Sequence, residues 1–122
     1  LTSKQIDELK SESFVWDIKD VILYINNNFD SQFTLNELAG KCALNPSYFS
    51  RSFKQEAGIP LFEYINRLRV EKSCHLLKVN SCSIIEIAFS VGYNNVSFYN
   101  RYFKKIMNGY KNKDQTLPCV NN

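Results

Sequence analysis

Several patterns that mark particular classes of protein are missing from this sequence. Its 122 residues include only 4 glycines, 3 prolines and 1 histidine, and the 4 cysteines show neither a CxxC pair nor a zinc-finger spacing. The single histidine, His75, has no partner at metal-ligand spacing, so we expect no metal site. No nucleophile is paired with a base, which predicts a protein that is not an enzyme and holds no cofactor.

Long apolar runs and a recognisable signal peptide are missing as well. No apolar stretch approaches the roughly 18 residues that are needed to span a bilayer. We therefore expect no membrane segment and a cytoplasmic location.

Charge is present in both signs but is unevenly placed. Residues 1–40 contain three lysines and seven acidic residues, a net charge of −4, whereas residues 41–122 contain twelve basic and five acidic residues, a net charge of +7. A positive field over the second region would attract a polyanion. Charge alone leaves open the simpler interpretation that these basic residues solvate helices.

The apolar residues recur with a helical period, and no alternation is long enough to predict a strand. Each predicted helix begins at or just after a polar residue or a proline, and these residues are Asp17, Thr34, Asn45, Pro60, Ser83 and Asn95. Gly58 is expected to end the third helix in a left-handed conformation, and Asn108-Gly109 to end the last. The pattern predicts an all-α fold.

One short sequence pattern occurs twice in the chain. Residues 48–54 (YFSRSFK) reappear as residues 98–104 (FYNRYFK), and the upstream Ala39 reappears as Ala88. Each copy joins a short helix, a turn and a second helix, the layout of a helix-turn-helix, at about 34–57 and about 83–108. The alanines are 49 residues apart, whereas Phe53 and Phe103 are 50 apart, so the second turn holds one extra residue near 93–95. We expect the aromatic residues of each copy to share a buried face.

Polar residues form a stripe on the opposite face of each second helix. The stripes are Ser47, Ser50, Arg51 and Lys54 in the first copy, and Ser97, Asn100, Arg101 and Lys104 in the second. Arginine can bind guanine through two hydrogen bonds, asparagine can bind adenine, and serine can contact either base. Lysines at the end of a stripe suit phosphates. A solvated helix face would explain one such stripe, but two equivalent stripes favour DNA recognition.

The longest predicted helix, residues 60–79, separates the two copies. Twenty residues give a length of about 30 Å, close to the distance of about 34 Å between major-groove segments on one side of a duplex. This helix could hold two recognition helices over adjacent segments of one site. Its polar residues, Asn66, Arg67, Arg69 and Lys72, could contact phosphates or be solvated, and we expect them to be solvated.

The segment from residue 35 to residue 105 resembles the DNA-binding domain of AraC/XylS-type bacterial transcription regulators. The matching stretches are LNELAGKCALNPSYFSRSFKQEAG, PLFEYINRLRVEKSCHLL and IIEIAFSVGYNNVSFYNRYFKK, and the resemblance extends over about residues 17–107. It implies a homeodomain-like fold of about seven helices, with two helix-turn-helix subdomains joined by a long central helix. The implied base-reading residues are Ser47, Ser50 and Arg51 in the first unit, and Val96, Ser97, Asn100 and Arg101 in the second.

The residue patterns and this resemblance together predict how the chain is divided and what it binds. Residues 1–16 would be the remnant of a linker, 17–111 the DNA-binding domain, and 112–122 a disordered tail. We expect sequence-specific binding of double-stranded DNA by a bacterial transcription regulator, with Lys54, Lys104 and Lys105 on the DNA backbone. RNA polymerase and an N-terminal sensory or receiver domain are the other expected partners.

Two alternatives remain open at this point. The chain could be a helical interaction module that docks on polymerase or another regulator. It could also accompany a catalytic domain, as in a DNA-repair protein, with all catalysis on a segment outside this sequence.

Overall fold

The structure is a computed structural model, and it describes residues 2–4, 15–79 and 82–112. Secondary structure in these ranges is helical throughout, which confirms the predicted all-α class. Six helices lie from residue 15 onward: α1 (Ile18–Asn27), α2 (Leu35–Lys41), α3 (Pro46–Ala57), α4 (Leu61–Val79), α5 (Ile84–Ser90) and α6 (Val96–Asn112). Ser3 and Lys4 also have helical backbone. The pairs α2–α3 and α5–α6 are the two helix-turn-helix elements.

The helices begin where the polar residues predict, because side chains there bind backbone N–H groups that have no partner within the helix. At the start of α1, the Asp20 N–H donates to Asp17 Oδ1 (2.9 Å) and the Asp17 N–H donates to Asp20 Oδ2 (3.0 Å). At three other starts the capping side chain accepts from the N–H three residues later: Thr34 from Glu37 (3.2 Å), Asn45 from Tyr48 (2.8 Å) and Ser83 from Glu86 (3.2 Å). These predicted caps are confirmed.

The two predicted glycine ends behave differently. Gly58 follows α3 with a φ of 86°, and its N–H donates to the Lys54 carbonyl at 2.8 Å, as predicted. The prediction that α6 ends at Asn108-Gly109 is wrong, because the helix continues to Asn112. A single glycine inside a helix costs only about 1 kcal/mol, and the residues after Gly109 can all remain helical.

The described residues fall into two compact units, which lie within Leu1–Asn27 and Phe33–Leu61 for the first and Asn28–Gln32 and Phe62–Asn122 for the second. In the first unit, α3 packs against α1 and α2. Phe49 and Phe53 are fully buried with ring centres 6.1 Å apart, as predicted. Burying one such side chain contributes about 1.5–3 kcal/mol to the free energy of unfolding.

The first unit also includes a residue of the predicted linker. The Trp16 N–H donates to the Lys41 carbonyl at 3.1 Å, and the Trp16 ring packs edge-on against Tyr24 with centres 5.5 Å apart. Lys41 Nζ lies 4.7 Å from the centre of the Trp16 ring, a distance at which a cation is attracted to the aromatic face. Packing therefore begins before the expected boundary at residue 17. Residues 1 and 5–14 of that linker, and 113–122 of the expected tail, lie outside the described residues.

The second unit is built around the aromatic residues of α6 and of the turn before it. Its core contains Ile87, Ala88, Val91, Tyr93 and Tyr99, with Leu76, Leu77 and Phe103 packed against them. Val70, Cys74 and Ile106 form a neighbouring buried cluster. The Tyr99 hydroxyl donates to Ser73 Oγ at 2.9 Å, so the polar end of this buried ring has a partner.

The expectation that Arg69 is solvated is wrong. Only 9% of this residue is exposed, and its guanidinium donates to the carbonyls of Phe29 (2.8 Å) and Ser31 (2.6 Å). These carbonyls belong to the non-helical segment 28–32, so they need donors from elsewhere. Burial lowers the pKa of Arg69.

Asn66 is also buried rather than solvated. Its Oδ1 accepts a hydrogen bond from the Tyr93 hydroxyl at 2.6 Å, and its Nδ2 donates to the Phe62 carbonyl at 2.8 Å. Burial raises the pKa of Tyr93 well above that of an exposed tyrosine. Among the four polar residues predicted to be solvated on α4, Lys72 is exposed, and Arg67 is half-buried and pairs with Glu63 at 3.3 Å.

Candidate nucleic-acid interface

Each helix-turn-helix element has a hydrogen bond across its turn, and the two bonds join equivalent residues. In the first, the Leu44 N–H donates to the Ala39 carbonyl at 3.1 Å; in the second, the Tyr93 N–H donates to the Ala88 carbonyl at 3.0 Å. Both alanines are 1% exposed, and their small side chains allow the two helices of each element to approach closely. The residue before each donor has a positive φ, 52° at Ala43 and 107° at Gly92. The two turns are therefore equivalent up to this donor.

The extra residue of the second turn is Asn94. The turn hydrogen bonds match at an offset of 49, whereas the helix caps match at an offset of 50, since Asn45 and Asn95 both cap the next helix. Asn95 Oδ1 accepts from the Ser97 N–H at 2.7 Å. Asn94 lies between the two matched sets and is exposed.

The second turn is crowded by the segment that Arg69 holds. A Cβ on Gly92 would lie 2.9 Å from the Asp30 Cα and 3.0 Å from Arg69 Nε. Gln32 Nε2 donates to the Gly92 carbonyl at 2.9 Å. Segment 28–32 therefore supports the turn that precedes α6.

In the first unit, α3 exposes most of the predicted stripe. Ser47, Arg51 and Lys54 are exposed at positions i, i+4 and i+7, which lie on one face of a helix. Ser50 is half-buried at the edge of this face.

In the second unit, α6 exposes all four residues of its stripe. Ser97, Asn100, Arg101 and Lys104 are all exposed. The residues of α6 include no acid, so no carboxylate on this helix offsets its positive charge. By contrast, α3 contains Glu56, whose Oε1 lies 4.0 Å from Lys19 Nζ.

Two predicted contact residues lie off these stripes. Val96 is half-buried and packs against the core of the second unit. Lys105 is exposed, but it lines a cavity of about 340 Å³ whose wall also includes Arg67, Tyr102 and Ile106. The other predicted contact residues therefore lie on the two stripes, whereas Val96 and Lys105 do not.

Two exposed aromatic residues beside the stripes were missed by the sequence reasoning, which placed all aromatics on the buried face. Tyr48 is 51% exposed and the equivalent Phe98 is 50% exposed. Each directly precedes a buried ring, Phe49 or Tyr99, and so lies about 100° around the helix from it. That one-residue displacement is the signal that would have identified them. The Arg101 guanidinium lies 5.4 Å from the centre of the Phe98 ring.

The described part of the chain contains neither a candidate membrane-spanning helix nor a candidate metal site. None of its helices has the length and apolar character needed to cross a bilayer. Within residues 2–4, 15–79 and 82–112, no three His, Cys, Asp or Glu side chains are grouped so that they could hold a metal ion.

A model of the helix-turn-helix domain family matches residues 38–109, which include α3, α4, α5 and most of α6. This chain belongs to the AraC-type helix-turn-helix family. The predicted resemblance is thereby confirmed. Among curated proteins, the chain is 35% identical over 89 residues to the transposon Tn10 TetD protein of Escherichia coli, covering 73% of this chain and 64% of TetD. It is 38% identical over 82 residues to the bifunctional transcriptional activator/DNA repair enzyme AdaA of Bacillus subtilis, covering 67% of this chain and 39% of AdaA.

Solved structures of the family have the same fold. The C-terminal domain of the two-component response regulator yesN from Fusobacterium nucleatum is 38% identical with a TM-score of 0.65, covering 72% of this chain and 93% of that domain. The C-terminal domain of the response regulator AraT from Geobacillus stearothermophilus is 32% identical with a TM-score of 0.69, covering 81% of this chain and 86% of that domain. The DNA-binding domain of AdpA, solved in complex with a target DNA, is 18% identical with a TM-score of 0.68, covering 79% of this chain and 94% of AdpA's, a likeness of fold alone.

The chain spans less than two thirds of the length of TetD and of AdaA. The activities of those whole proteins therefore cannot be assigned to this chain from the match alone.

Proposed function

We propose that this domain binds double-stranded DNA sequence-specifically, as part of a bacterial transcription regulator. The observation that carries the proposal is the pair of equivalent exposed stripes on α3 and α6, each preceded by an equivalent turn hydrogen bond and an asparagine cap. A stripe that only solvated its helix would have no reason to repeat arginine and lysine at equivalent positions. Membership of the AraC-type family and the fold shared with the DNA-bound AdpA domain support the proposal.

Each second helix would enter the major groove. Arg51 and Arg101 would be the principal base readers, with Ser47, Ser97 and Asn100 beside them. Lys54 and Lys104, one turn further on, would bind phosphates. Ser50, at the edge of its face, and Val96 and Lys105, off the stripes, remain predictions.

The two helices would read adjacent major-groove segments of one site. The 19 residues of α4 give a helix about 28 Å long, somewhat less than one turn of B-DNA. In-vitro selection of bound duplexes tests this: we expect two preferred boxes about ten base pairs apart. A single box would contradict the use of both helices.

Arginine substitutions test the assigned roles. Arg51→Ala and Arg101→Ala should each weaken binding by about 1–3 kcal/mol and relax preference at one base position only, a different one for each variant. Competition between the selected duplex and single-base variants measures this. If both variants keep the wild-type preference, the stripes do not read bases.

We also propose that the full-length regulator carries a sensory or receiver domain before this one. The yesN and AraT domains are C-terminal domains of response regulators, which supports a receiver in particular. Binding to chromosomal DNA would place the protein in the cytoplasm. The domain itself would not be catalytic, and any enzymatic activity, as the name of AdaA records for that protein, would belong to another segment.

A second proposed role is contact with RNA polymerase through α5. Ile85 and Phe89 are 55% and 54% exposed, one turn apart on this helix. The equivalent residues of α2 are Asn36 and Gly40, so the fold does not require apolar residues there. The variant Ile85→Asn/Phe89→Ala should lower transcription in vitro from a promoter that contains the selected site, while duplex affinity stays unchanged. Unchanged transcription would rule out this contact surface.

A further inference from the structure

Arg51 and Arg101 occupy equivalent positions but have different surroundings. The Cζ of Arg101 lies 5.4 Å from the centre of the Phe98 ring, three residues earlier on α6. In the first unit Tyr48 takes the place of Phe98 and is equally exposed, at 51% against 50%. Within the described ranges, no ring lies against the Arg51 guanidinium. The duplication thus supplies an internal comparison between an arginine with a ring beside it and one without.

Contact with Phe98 leaves hydrogen-bonding groups of Arg101 available. The guanidinium has five N–H donors, whereas an aromatic ring is only a weak acceptor, so one ring cannot occupy all of them. No carboxylate among the described residues forms an ion pair with Arg101. The ring therefore restricts where the guanidinium can lie without occupying the donors that would contact a guanine.

We infer that Phe98 is a positioning residue that holds Arg101 ready for its base, an inference that rests on the proposed DNA binding. A flexible arginine side chain loses rotamer freedom when it binds, and restricting it beforehand reduces that loss. A restrained guanidinium also tolerates a displaced acceptor less well than a mobile one. The base pair read by Arg101 is therefore discriminated more sharply than the base pair read by Arg51.

The experiment begins by assigning each arginine its base pair. In-vitro selection with the wild-type domain gives the preferred site, and Arg51→Ala and Arg101→Ala each identify the position whose preference they abolish. Phe98→Leu is then measured against duplexes that differ only at the Arg101 position. We expect discrimination there to fall about two- to fivefold, the value of an exposed cation–π pair, and to remain unchanged at other positions. Phe98→Trp should restore it, because tryptophan is the strongest cation–π partner.

Two controls separate positioning from other effects of the ring. Tyr48→Leu is the matched change in the first unit and should leave discrimination at the Arg51 position unchanged. In an Arg101→Ala background, Phe98→Leu should have no further effect, because the residue it acts through is gone. Leucine is a good helix former, so far-ultraviolet circular dichroism should show the same helix content for every variant.

Each failure has a distinct meaning. If Phe98→Leu alters preference at another base pair, or costs as much without Arg101 as with it, the ring contacts DNA directly and the inference is wrong. Retained discrimination in Phe98→Leu would overturn it as well. If the wild-type domain prefers no duplex over another, the proposed function itself fails.

Discussion

At the scale of single residues, Arg69 is a charged side chain whose role is structural. Its guanidinium donates hydrogen bonds to the carbonyls of Phe29 and Ser31, which lie outside the helices. The residue itself is only 9% exposed to water. Removing the donors would leave two half-buried acceptors without partners, each at a cost near the lower end of the about 1–3 kcal/mol for a fully buried acceptor.

Arg69→Met should therefore lower the free energy of unfolding by about 2–4 kcal/mol, because methionine keeps much of the side-chain volume but has no donor. Urea denaturation followed by circular dichroism measures the change. Lys78→Met is the matched control, because Lys78 is an exposed cation on the same helix, and this change should alter the free energy of unfolding by less than about 0.5 kcal/mol. Equal costs for the two variants would show that the contacts of Arg69 do not stabilise the second unit.

The exposed stripes could be anticipated residue by residue, whereas the burial of Arg69 and Asn66 could not. Ser47, Arg51 and Lys54 follow from the helical period, which separates them from Phe49 and Phe53 within one turn. Arg69 also lies on a predicted helix, but its partners are 40 and 38 residues away in the chain. A local pattern contains no information about such a partner.

At the scale of elements, the turn between α5 and α6 is more constrained than its counterpart between α2 and α3. Ala43 keeps a side chain at a φ of 52°, whereas at Gly92 a Cβ would meet the backbone of Asp30. Backbone atoms cannot move aside as a flexible side chain can, so glycine is required at this position for both its φ and its size.

Gly92→Ala should lower the free energy of unfolding by about 2 kcal/mol or more, since it adds a strained φ to a backbone contact. Gly40→Ala is the control, because Gly40 lies in α2 with no atom within 4 Å of its would-be Cβ. That control should stabilise the protein by about 0.5–1 kcal/mol through helix propensity. Thermal unfolding distinguishes the two, and destabilisation by both variants would contradict the role given to Asp30.

Helix starts were predictable from the sequence and the end of α6 was not. A capping side chain and the N–H it binds are three residues apart, so Thr34, Asn45 and Ser83 could be recognised locally. Gly109 is of a residue type that often ends helices, but it has no positive φ, and α6 continues through it. Whether a glycine ends a helix depends on the residues after it and on how the helix packs.

At the scale of the whole molecule, the net charge of +7 over residues 41–122 predicts that DNA binding weakens as the salt concentration rises. Lysines that neutralise phosphates release counterions, so the logarithm of the association constant falls linearly with the logarithm of salt concentration. Lys54→Ala or Lys104→Ala should each reduce that slope by about 1 and leave base preference unchanged. Fluorescence anisotropy over a range of salt concentrations measures the slope.

Lys19→Ala is the matched control for these lysines. Lys19 is exposed and pairs with Glu56, which lies on the opposite side of α3 from Ser47. The slope should not change in this variant. A slope that changed equally in all three variants would mean that binding follows total charge rather than the stripes.

The helices, their caps, the repeated helix-turn-helix and the exposed stripes are properties of the amino-acid order alone, because each depends on residues within about one or two helical turns of one another. Other features arise only from the folded arrangement. They are the burial of Arg69 and Asn66, the close approach of Gly92 to Asp30, and the packing of Val96 against the core. These features depend on pairs such as Gln32 and Gly92, which are 60 residues apart and meet only because the chain folds back on itself. Side-chain periodicity is local, whereas the neighbours that a buried polar group requires are set by packing.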